Sequence, residues 1–102
     1  MSKYLQLLAD MKGCRIVPIK YRFKNYTFKG YDLVKVIDGI WYIQYSFEPV
    51  QYSNGDRWMI IDKRGSGGIV YSKNMQQAAC TISYFLPKVS YHVLQSPSMQ
   101  YR

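Results

Sequence analysis

The sequence predicts a single small α+β domain: a mainly antiparallel β-sheet, a short N-terminal helix and a longer helix near residues 73–86. Three observations carry this. Apolar side chains recur every second position in several runs between Val17 and Phe47, whereas a helical spacing of three to four marks Tyr4–Met11 and Met75–Leu86. Asp38-Gly39 and Asn54-Gly55 interrupt the alternating runs with residues suited to the positive φ angles of tight hairpins. The 102 residues, 48% of them hydrophobic, supply one modest core rather than two.

Ser2 through Met11 is expected to form the first helix, with Tyr4, Leu5, Leu8 and Met11 as its apolar stripe and Ser2 as its cap. Lys12 and Gly13 suit its exit, the lysine facing the terminal carbonyls and the glycine entering the left-handed region. Val17, Ile19, Tyr21 and Phe23 then alternate with Pro18, Lys20, Arg22 and Lys24. That pattern is a half-buried strand with one basic face, and Pro18 favours the start of the strand or an edge position because it lacks an amide donor. Around Asn25 the phase changes to Tyr26 and Phe28, which calls for a turn or bulge, and Gly30 is expected to end the segment.

Counting outward from Asp38-Gly39 sets Ile37 opposite Ile40, Val36 opposite Trp41, Lys35 opposite Tyr42 and Val34 opposite Ile43. Val34, Val36, Trp41 and Ile43 then share an apolar face, which Tyr45 and Phe47 are expected to continue. Pro49 interrupts the strand, Asn54-Gly55 turns it, and residues 57–62 return with apolar side chains on both faces, as in a central strand. Residues 63–68 form the next turn and 68–71 a short strand. Ser72 is placed to cap the second helix, whose buried stripe would be Met75, Ala78, Ala79, Ile82, Phe85 and Leu86, with Pro87 beyond its end. Val89, Tyr91 and Val93 suggest a last strand. The compact domain is expected over residues 1–95, followed by a flexible C-terminal tail over 96–102.

Charge is unevenly placed. Residues 12–35 carry seven Lys/Arg against Asp32, residues 36–56 carry three acids and no base, and residues 57–73 carry four bases against Asp62, within a net charge of +8. Such a balance fits an anionic partner. The leading expectation is non-enzymatic binding of DNA or RNA through a basic sheet surface of Lys20, Arg22, Lys24, Lys29 and Lys35, with Lys63, Arg64 and Lys73 as a second patch. Tyr26, Tyr42 and Tyr52 are the candidate stacking residues. The alternative is a small adaptor or inhibitor that binds an acidic or mixed-charge protein through Tyr42, Tyr45, Arg57 and Trp58. Homodimerisation through an uncovered sheet edge is a third option.

Catalytic chemistry has little support. The acids are scattered over turns and strands, Gly65-Ser66-Gly67-Gly68 lacks the rest of a phosphate-loop motif, and His92 is the only histidine. Cys14 and Cys80 have neither redox nor zinc spacing, and are expected to be buried thiols in a reducing cytoplasm. No metal, cofactor or transmembrane insertion is expected, and the cytoplasm is the default location.

Overall fold

The computed structural model describes residues 3–23, 25–65, 68–84 and 93–94, residues 21–23 by their backbone alone. Five strands form one antiparallel meander in sheet order 1-2-3-4-5: β1 (Arg15–Phe23), β2 (Tyr26–Ile37), β3 (Ile40–Pro49), β4 (Trp58–Asp62) and β5 (Ile69–Ser72). Two helices, α1 (Lys3–Lys12) and α2 (Met75–Ser83), pack against each other on one face of the sheet. Successive connections alternate between its two ends. The β1–β2 turn, the β3–β4 loop and the exit toward α2 lie at what we call the upper end; the α1–β1, β2–β3 and β4–β5 connections lie at the lower.

Local signals set the boundaries. α1 closes as the sequence predicts: Gly13 has φ +66°, its N–H reaches Asp10 O at 3.3 Å, and Cys14 N–H reaches Ala9 O at 2.8 Å. The α1 stripe differs from expectation, because Leu5, Leu8 and Ala9 are buried while Met11 stands exposed. Asp38 and Gly39 both take positive φ, 52° and 78°, and the four flanking pairs match the register counted from the sequence. The second turn is shifted by one residue. Gly55 N–H bonds Tyr52 O, Gly55 has φ +91°, and Tyr52 N–H returns to Asp56 O, a three-residue loop of Ser53, Asn54 and Gly55.

Three other expectations change. Gly30 does not end a strand: it pairs with Ile19 and the β1–β2 ladder runs through it. α2 is capped by Asn74 rather than Ser72, its Oδ1 accepting from Gln77 N–H at 2.8 Å while Gln77 Oε1 accepts from Lys73 N–H at 2.8 Å. The Ser72 hydroxyl instead donates to Asn74 O. Cys80 is exposed and Cys14 half-buried, both as free thiols. Phe85, Leu86, Pro87, Val89, Tyr91, His92 and the 96–102 tail lie outside the described residues.

The central correction concerns β3. Leu33 pairs with Tyr45 and Val34 with Ile43, so Gln44 is an extra residue on β3, a bulge. Below it Trp41 and Ile43 pack with Val17, Ile19, Val34 and Leu94 on the face away from the helices. Above it Tyr45 and Phe47 turn to the helix side and join Leu5, Leu8, Leu33, Ile60, Met75, Ala78 and Ile82. Tyr45 and Phe47 therefore do not continue the Trp41/Ile43 face. Gln44 is itself buried, its Nε2 donating to Tyr42 O at 3.0 Å and its carbonyl accepting from Lys63 N–H at 2.9 Å. Leu94 helps cover the far face, with its N–H on Trp41 O at 2.7 Å.

The far face also holds a buried carboxylate. Asp32 pairs with Ser46 across β2–β3, both are 5% exposed, and Asp32 Oδ1 has no hydrogen-bond partner among the described residues. Burial pushes the Asp32 carboxyl above its ordinary 3.8; the Ser46 hydrogen bond and Lys63 oppose the shift and Glu48 adds to it.

Two outcomes follow from this packing. Deletion of Gln44 would turn Tyr45 and Phe47 away from the helices, losing burial worth about 1.5–3 kcal/mol per side chain. The shortened chain should show no cooperative melt by circular dichroism, whereas Gln44→Ala, which removes the side-chain bond to Tyr42 O and keeps the bulge, should cost only about 1 kcal/mol. A native-like melt of the deletion variant would refute the assigned role of the bulge. For Asp32, the folded protein holds the proton more tightly than the unfolded chain, so this group lowers stability as pH rises from its ordinary value through the raised one. Asp32→Asn should therefore raise the thermal midpoint at pH 7, and the gain should shrink as pH falls toward 3.8. A gain independent of pH would count against this account.

Candidate nucleic-acid interface

The sequence places Lys20, Arg22, Lys24 and Lys29 around one turn, and the fold gives that turn a distinct shape. β2 pairs with β3 only as far as Tyr31–Phe47, so residues 26–30 of β2 bond to β1 alone and form a two-stranded ribbon. Pro49 explains where the β2–β3 ladder stops. Val50 N–H points to β4, where Arg57 O accepts it at 2.8 Å. Backbone groups alternate sides along a strand, so the amide position of residue 49 faces β2, and proline has no N–H to offer there.

On the ribbon Lys20 lies directly opposite Lys29 and Arg22 opposite Thr27. Directly opposed residues share a face, and like charges in that position repel. Lys20 and Lys29 are both exposed, and neither has a carboxylate partner among the described residues. Tyr26 is 66% exposed and Phe28 40%, with their rings 6.3 Å apart. Lys24 lies outside the described residues. Where the ribbon parts from β3 it borders a cleft of about 380 Å³, lined by Phe28, Pro49, Val50, Gln51, Arg57 and Trp58.

The rest of the upper end adds cations and rings. Arg57 and Lys73 are exposed there, one entering β4 and the other leaving β5. Tyr52 meets Tyr71 edge-on at 5.2 Å, and its hydrogen bond with Tyr71 pushes the Tyr52 phenol above its ordinary value. Trp58 is half-buried and packs on Tyr31 at 6.1 Å. Of the residues singled out in the sequence, Lys20, Arg22, Lys29, Lys73, Tyr26, Tyr52, Arg57 and Trp58 thus belong to the upper end.

The others divide from them. Lys35, Tyr42, Lys63 and Arg64 belong to the lower end, so each basic segment is split between the two ends. Arg64 is engaged within the fold, since its Nε and Nη2 each lie 3.2 Å from the Asp62 carboxylate and its guanidinium covers the Tyr45 ring at 4.7 Å. Tyr45 is 2% exposed, and burial pushes its phenol up to about 12. It is a core residue and presents no interface. With Tyr42 at the lower end and Arg57 and Trp58 at the upper, the four residues of the protein-binding alternative do not form one surface.

Two contributors are not marked by the sequence. Alternation alone makes Phe28 an inward apolar position, and nothing in the pattern gives Tyr71 a role. The spacing that marks Phe28 as apolar carries no sign that its strand outruns its neighbour. The Asp62-anchored turn between β4 and β5 leads into a strand, and Ser66 and Gly67 within it lie outside the described residues. Among the described residues no group of three His, Cys, Asp or Glu can hold a metal ion, and no helix is long and apolar enough to cross a membrane.

No protein-family model, no curated protein and no solved structure matches this chain. Cation placement can be tested directly at the level of stability. Lys29→Thr relieves the cross-strand repulsion and adds a β-branched residue, and should raise the thermal midpoint at low salt by an amount that falls in high salt. A salt-independent change would show that the pair does not repel.

Proposed function

We propose that this protein binds nucleic acid, DNA or RNA, without enzymatic activity, through the upper end of its sheet. The observation that carries the reading is the opposed Lys20–Lys29 pair on a projecting ribbon whose Tyr26 and Phe28 rings are exposed. A fold keeps two like charges face to face at some cost in stability, and an anionic backbone laid across them removes that cost. Phosphates would lie over Lys20 and Lys29, with Arg57 and Lys73 extending the field, and bases would reach open rings such as Tyr52 and, around the ribbon on its other face, Tyr26. We place this activity in the cytoplasm, where an exposed thiol such as Cys80 stays reduced.

The reading is tested by titrating labelled single- and double-stranded DNA and RNA with the protein across a salt series. Affinity should fall linearly on a log–log plot, and the Lys20→Ala/Lys29→Ala double variant should flatten the slope by roughly 1.5, the loss of two phosphate contacts. Lys12→Ala/Arg15→Ala, at the lower end, should leave the slope nearly unchanged. No association at physiological salt, or equal slopes for the ribbon variant and the parent, would reject the proposal.

A further inference from the structure

The cleft beside the ribbon has the features of a site for one planar ring. Phe28 forms one wall. Trp58 forms another and packs on Tyr31, their ring centroids 6.1 Å apart. Pro49 and Val50 supply apolar surface, while the Gln51 amide and the Arg57 guanidinium bring hydrogen-bond donors and an acceptor to the rim. Mostly apolar clefts of several hundred Å³ with a few polar groups are the usual size and chemistry of small-ligand sites, and about 380 Å³ falls in that range.

Charge narrows the occupant. Lys29 follows Phe28 directly, about 3.3 Å further along the strand, and Arg57 precedes Trp58. Arg57 lines the cleft itself, whereas successive side chains of a strand point to opposite faces, so Lys29 and the opposed Lys20 put their charge on the ribbon face turned away from Phe28. A neutral apolar ligand would make no use of these charges. A nucleotide within a strand uses both parts: its base enters between rings and its phosphates meet cations. In a duplex the base is already stacked and paired, and entry would require extruding it at a cost in free energy.

We infer that the cleft between Phe28 and Trp58 receives an unpaired base, which makes the ligand single-stranded nucleic acid, its backbone beside Arg57 at the cleft and passing over the ribbon to Lys20 and Lys29 on the other face. This rests on the nucleic-acid reading above and specifies its substrate class.

The test compares three probes of equal length at one salt concentration: an oligothymidylate, the same sugar-phosphate strand without bases, and a duplex. Affinity should be highest for the oligothymidylate and about ten-fold lower for the abasic strand. Phe28→Ala should weaken only the strand that carries bases, whereas Lys20→Ala/Lys29→Ala should weaken both strands. In a Trp41→Phe background the remaining tryptophan, Trp58, reports the cleft without altering it, and its emission should change with the oligothymidylate and not with the abasic strand. Circular dichroism confirms folding of each variant. Salt-dependent binding that is equal for all three probes, with Trp58 emission unmoved, would overturn the cleft inference and leave electrostatic binding standing. Failure of every probe to bind would overturn both.

Discussion

The fold depends on one inserted residue. Gln44 lets a single strand face two cores in succession: the lower half of β3 contributes Trp41 and Ile43 to one side, and the upper half contributes Tyr45 and Phe47 to the other. A strand of strict alternation would serve one side only. Because the helices sit over the upper half, the bulge also decides what they pack on. Its carbonyl accepts from Lys63 N–H, just past the end of β4, which ties the irregularity to the neighbouring strand.

A second constraint shapes the upper end. Pro49 withholds the hydrogen bond that would tie β2 to β3, and the ribbon separates there. The separation makes the cleft, exposes Phe28 and leaves Lys20 and Lys29 flanked by no other strand of the ladder. Solvent screens the repulsion of this pair, which keeps its cost modest compared with the core contacts below. The buried Asp32 is a different kind of expense, since its carboxylate is removed from water with Ser46 alone to bond it among the described residues.

What could be read from residues alone follows the range of the interaction. The Asp38-Gly39 hairpin was legible because turn conformation and register are both local, and its four pairs fall where counting puts them. The bulge was not legible: Trp41, Ile43, Tyr45 and Phe47 keep an unbroken spacing of two while the sheet face they occupy changes between Ile43 and Tyr45. Only pairing with β2 reveals the switch. Ser72 looked like the cap of α2 by residue type, yet Asn74 and Gln77 together satisfy the first turn, a reciprocal arrangement that residue type alone does not rank. The basic residues were visible as charge, but the meander assigns them to opposite ends, and that depends on counting strands rather than charges. Pro49 was seen as an interruption; that it opens a cleft depends on which neighbour its missing donor would have served.

The meander has a consequence for how the protein is made. Every strand bonds to the one synthesised just before it, so each hairpin can close as soon as its second arm leaves the ribosome, with little entropy lost to long loops. Leu94 is different: it joins Val17, Ile19 and Val34, residues synthesised sixty or more positions earlier, at roughly 5–20 residues per second several seconds before it. Through that interval the face away from the helices lacks this part of its cover, and Val17, Ile19 and Val34 remain open to other nascent chains.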